Sequence, residues 1–121
     1  MYLVAGGRVR GDTVNPNLPR AIELLQKAHD WIPPNSGRMF QTAAFQLGVA
    51  QFQLGRQLDQ QAETQRSCDA VRQVTPMWDQ VATNIAAGAP INRDVANQIL
   101  TAVPQFQSRA AAFARNFRCP G

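Results

Sequence analysis

The sequence predicts an all-α protein of antiparallel helix pairs closed by a C-terminal helical hairpin. Three observations carry this. The stretch from Ala21 to Pro34 places Ala21, Leu24, Leu25, Ala28 and Ile32 at spacings of three, four and seven, one face of a helix, before two prolines stop it. Two later arms, Val71 to Ile85 and Val95 to Phe117, repeat spacings of three and four on either side of the turn Gly88-Ala89-Pro90-Ile91. The length of 121 residues with 45% hydrophobic content fits a single domain, 1–121, with a real core.

Taken in order, residues 1–7 are apolar and read as the end of a helix. Residues 8–19 carry Gly11, Asp12, Asn15, Pro16, Asn17 and Pro19, which is loop chemistry. Asn17 is a cap candidate and Pro19 suits a first turn, so a helix is expected over about 18–32. Asn35-Ser36-Gly37 is a turn, with Ser36 as the next cap candidate. A helix then runs over about 37–54, with Phe40, Ala44, Leu47, Gly48, Gln51 and Phe52 on neighbouring turns. Gly48 costs about 1 kcal/mol against alanine in a helix interior and so marks a close approach of another backbone. Gly55 is expected to end this helix, and another begins near Leu58.

From Val71 the apolar positions are Val71, Val74, Trp78, Val81 and Ile85, a heptad-like seam. Thr75-Pro76 interrupts it, either by starting a new helix capped by Thr75 or by kinking a long one. After the turn, Asn92 caps the last helical region, with Asp94 favourable beside its first-turn amides. Its seam is Val95, Ile99, Val103, Phe106, Ala110, Phe113 and Phe117, interrupted by Pro104. Folding the arms about Pro90 places Val81 opposite Ile99, Trp78 near Ala102 and Val103, and Cys68 level with Ala112.

Cys68 and Cys119 are the only cysteines, so they are expected to pair in an oxidising compartment, the alternative being two unrelated thiols. The counted register leaves them about seven residues apart, roughly 10 Å along a helix, whereas disulfide Cα atoms lie within about 7 Å. The bond therefore requires the last turn to unwind, or the arms to slide or bend.

The formal charge of +4 is basic but diffuse. Lys27 is the only lysine, and the arginines are scattered singly from Arg8 to Arg118. A nucleic-acid footprint, a basic stripe with interleaved aromatics, is absent, and no nucleic-acid partner is expected. No run of 18 apolar residues exists, so no membrane span is expected. Met1 to Gly7 is too short for a secretory signal and has no basic start. An exported protein would have lost its signal, and the chain reads as a mature or truncated form.

The opening stretch resembles the second helix of a tetratricopeptide repeat. Ala21, Ala28 and Pro33 stand at the separations that family uses for its small packing residues and closing proline, with Leu25 at the large position between the alanines. Leu47-Gly48, followed by Gly55, is similar to the first helix of a following repeat, and Ala62 to the start of its second helix. The resemblance covers about residues 18–70 and leaves 71–119 as a C-terminal hairpin. It implies stacked helix pairs packed through Ala21, Ala28, Leu47, Gly48 and Ala62, and a protein-binding role.

No catalytic constellation emerges. His29 is the only histidine, and no base is evident for Ser67-Cys68-Asp69. Asp59, Glu63 and Asp69 lie among Gln60, Gln61, Gln65 and Arg66, which reads as a solvated face. There is no metal-ligand spacing and no phosphate loop, so no metal, cofactor or catalytic residue is expected. The glutamines between 41 and 65 are either a solubilising surface or a face that hydrogen-bonds a partner. The expected role is non-catalytic protein–protein binding as an accessory or scaffold subunit of an extracytoplasmic assembly, periplasmic or secreted. Candidate partner contacts are Trp31, Phe40, Phe45, Gln51 and Phe52. The alternatives are a self-associating subunit of a polymer or ring and, more weakly, a small helical enzyme or ligand-binding bundle.

Overall fold

The computed structural model describes residues 17–120, and the expectations for residues 1–16 lie outside them. The described residues form helices and turns, with no strand among them. The helices are α1 (Asn17–Trp31), α2 (Arg38–Gln65), α3 (Cys68–Val74), α4 (Met77–Gly88) and α5 (Arg93–Asn116), with a 3-10 turn at Ala89–Ile91 between α4 and α5.

The long helix α2 is the centre of the molecule and touches every other element. It runs straight through Gly55, so the expected break there is absent and one helix occupies the place of two. Gly55 is a notch. A Cβ built on it would lie 2.5 Å from Cη2 of Trp78, the largest fully buried side chain. A Cβ on Gly48 would lie 2.7 Å from Cδ1 of Ile85 and 3.1 Å from its backbone nitrogen. The close approach expected at Gly48 is therefore present. A Cβ on Gly88 would meet the backbone of Phe45 and Gln41. The facing pairs Phe45–Gly88, Gly48–Ile85 and Gly55–Trp78 keep one antiparallel register, so α2 and α4 approach to near backbone contact along their length. The helix-propensity cost of two mid-helix glycines is offset by the burial that approach permits.

Local signals set the helix ends. The Asn92 side chain accepts from the Val95 amide at 3.2 Å and caps α5, as expected. Ser67 caps α3 by accepting from the Ala70 amide. Ser36 does not cap α2: Gly37, at φ +63°, takes the N-cap position with no side-chain bond. Thr75-Pro76 divides α3 from α4, with the Thr75 hydroxyl donating back to the Val71 carbonyl instead of capping α4. Pro104 sits inside α5 without ending it.

Trp78 stacks on Phe106 of α5 with centroids 4.8 Å apart, and Phe52 of α2 approaches both rings edge-on. Gln107 donates to Asp79 at 3.0 Å. These contacts displace the counted register of the two arms by four to six residues, bringing Cys68 level with positions 116–118. The last turn of α5 then unwinds. Arg118 adopts φ +57°, while the Cys119 and Arg118 amides donate to the Ala114 and Arg115 carbonyls, a Schellman ending. The Cys68–Cys119 disulfide closes with Cα atoms 5.4 Å apart.

Candidate interaction surface

The α1 helix is held less deeply than the others. None of its residues is fully buried. Leu18 and Ile22 pack against the core, Leu25 and Ile32 are half-buried, and His29 tilts over Phe40 with centroids 4.9 Å apart. Among the described residues, neither ring nitrogen of His29 makes a hydrogen bond, although Nδ1 lies 3.7 Å from the Asp30 carboxylate. This inward arc of four aliphatic side chains sets the rotation of the helix.

The consequence is a correction to the expected alanine stripe. Ala21 is only half-buried, and Ala28 is exposed. Burial scales with apolar area, so the aliphatic arc turns inward in preference to the alanines. Leu47, Gly48 and Ala62, by contrast, are buried as helix-packing residues in α2. The outward arc of α1 carries Leu24, 54% exposed, then Ala28, then Trp31, 87% exposed. Met39, in the first turn of α2, is 63% exposed. Charged residues Arg20, Glu23, Lys27 and Asp30 flank the outward arc, all exposed.

Of the five candidate contacts, the structure leaves Trp31 alone fully available. Phe40 is half-buried beneath His29. Phe45 closes over Gly88, and Phe52 joins the Trp78–Phe106 cluster. Gln51 is 2% exposed, so it is not a contact for a partner. It donates to Gln80 Oε1 at 3.0 Å and accepts from Asn84 Nδ2 at 2.8 Å, clamping α2 to α4. An apolar environment requires such an amide to be bonded, and this one uses both ends. An open cleft of about 280 Å³ beside this clamp is lined by Gln26, Asp79, Gln80, Thr83 and Asn84.

Sequence reading missed an ion pair. Asp59 is not part of a solvated face: its side chain is 6% exposed, and Arg109 of α5 donates to both its oxygens at 2.7–3.1 Å. Arg109 also reaches Glu63 at 3.3 Å and lies over the Phe113 ring. The Asp59 hydrogen bonds raise the Arg109 guanidinium above its ordinary value, against desolvation. The missed signal is the register of Asp59 with Gly55, Leu58 and Ala62 on the buried face of α2.

Among the described residues, no group of three or more His, Cys, Asp or Glu side chains could hold a metal ion, and no helix is long and apolar enough to cross a membrane. No family model, curated protein or solved structure matches this chain.

Proposed function

We propose that the chain is a non-catalytic protein-binding module that engages its partner through the outward face of α1. One observation carries the proposal: Trp31 is 87% exposed at the end of a helix that also presents Leu24, 54% exposed. Tryptophan anchors contribute disproportionately to binding because they bury a large rigid surface at little entropic cost. The tetratricopeptide-like reading of residues 18–70 belongs to the same proposal. It is narrowed to the contact of α1 with α2, because α2 runs unbroken through Gly55 and Ala28 is exposed. Both cysteines are held in the disulfide, so neither offers a thiolate nucleophile. The disulfide also favours an oxidising, extracytoplasmic setting, where an accessory or scaffold subunit would act.

The test is affinity capture from the native source with wild type and Trp31→Ala in parallel. Capture that depends on Trp31 supports the reading. A partner retained equally by both proteins rejects this face as the binding surface.

A further inference from the structure

We propose that the partner fitted by the outward face of α1 is the same face of a second copy, packed antiparallel about a twofold axis level with Leu25 and Gln26. The inference rests on the binding role proposed for this face. Two patterns on one helix carry it. The stripe of exposed Leu24, Ala28 and Trp31, with half-buried Ala21 at its N-terminal edge, has spacings of three, four and three. The flanking row, Arg20, Glu23, Lys27 and Asp30, has the same spacings and alternates positive and negative. A row spaced 3-4-3 reads the same in both directions, so an antiparallel copy falls into register with it.

In that register each large side chain meets a small one. Trp31 lies over Ala21 of the second copy, and Leu24 over Ala28. The exposure of Ala28 makes it the seat for a leucine. A twofold axis perpendicular to the helices also brings like flanks together. Reversal turns the sign order plus-minus-plus-minus into its complement. Arg20 then faces Asp30 of the second copy, and Glu23 faces Lys27, with each pair occurring twice. Arg20, Glu23 and Lys27 have no ion-pair partner among the described residues, while Asp30 accepts from Gln26 at 2.8 Å on its own helix and would exchange or share that contact with Arg20 of the second copy.

A 15-residue helix is about 22 Å long, which places the interface at the low end of specific interfaces, below about 1,200 Å² in total. The association is therefore weak, with a dissociation constant on the order of 100 µM.

Sedimentation velocity on the full chain from about 5 µM to about 1 mM reads it. The weight-average mass is expected to rise with concentration from 13.3 kDa towards twice that value. Trp31→Ala should remain a monomer with unchanged far-UV circular dichroism, since the side chain is 87% exposed. Lys27→Glu sets a carboxylate against Glu23 of the other copy, twice per dimer, and should weaken association by about tenfold. The double reversal Glu23→Lys with Lys27→Glu restores complementarity and should return the dissociation constant to within about threefold of wild type. Mixing the single variants Glu23→Lys and Lys27→Glu should favour the mixed dimer over the self-pairing of either one. A mass fixed at 13.3 kDa throughout overturns self-pairing, while Trp31-dependent capture of another protein would still support the binding role. Association that ignores Trp31→Ala, or a double reversal that fails to rescue, overturns the antiparallel register.

Discussion

Replacing Gly55 by alanine tests whether the fold is built on the α2–α4 approach. Helix propensity alone says the change should stabilise by about 1 kcal/mol, because Gly55 lies well inside a 28-residue helix. The packing says the opposite. The new methyl would sit 2.5 Å from Cη2 and 2.7 Å from Cζ3 of Trp78, whereas carbon atoms rest at about 3.5–4 Å. Trp78 would have to move by about 1 Å. It has nowhere to go: it is fully buried, stacked on Phe106 and flanked by Phe52. Overpacking of this kind costs about 1–3 kcal/mol. With the upper half of that range set against the propensity gain, Gly55→Ala should lose about 1–2 kcal/mol. Urea unfolding followed by circular dichroism and tryptophan fluorescence reads the loss, and a melting temperature lower by several degrees accompanies it. Gly88→Ala should cost more, since the atoms it meets at 2.6–2.7 Å are the Phe45 Cβ and the Phe45 and Gln41 backbone, which cannot swing away. Gly48→Ala should also destabilise, since it meets Cδ1, Cγ1 and, at 3.1 Å, the backbone nitrogen of the fully buried Ile85, and Gly48→Leu should cost more than about 1 kcal/mol. A Gly55→Ala protein as stable as wild type, or more so, would show that the indole does not need the notch.

Three further outcomes are expected. Arg109→Met strands the buried Asp59 carboxylate and should destabilise by about 2–3 kcal/mol, less than for a fully buried pair because Arg109 is 41% exposed; adding Asp59→Leu should recover most of the loss in a double-mutant cycle. Opening the Cys68–Cys119 bond by Cys→Ser at both positions frees a loop spanning 51 residues and should cost up to about 4 kcal/mol in chemical denaturation. Mass spectrometry of unreduced protein should find no free thiol. His29→Leu removes an imidazole whose nitrogens are buried without hydrogen bonds among the described residues and should raise stability by about 1 kcal/mol, whereas a loss of that size would show the ring is bonded in solution.

Features that act within a turn or two are legible in the chain order. The periodicity of Val95 to Phe117 and the Asn92 cap specify α5, because both depend on atoms within four residues of one another. The cysteine pair is legible by elimination, and Trp31 stands out as a tryptophan two residues before a pair of prolines. The remaining features depend on how distant segments pack. Glycine at position 55 is locally a helix terminator, yet the indole of Trp78, 23 residues on, makes it a notch. Asp59 reads as surface until Arg109, 50 residues away, comes over it. The rotation of α1 depends on which arc removes more apolar area against α2, and that comparison leaves Ala28 outside and the Leu24–Trp31 face open. Such choices are differences between large packing energies across distant segments, and no local pattern contains both sides of the difference.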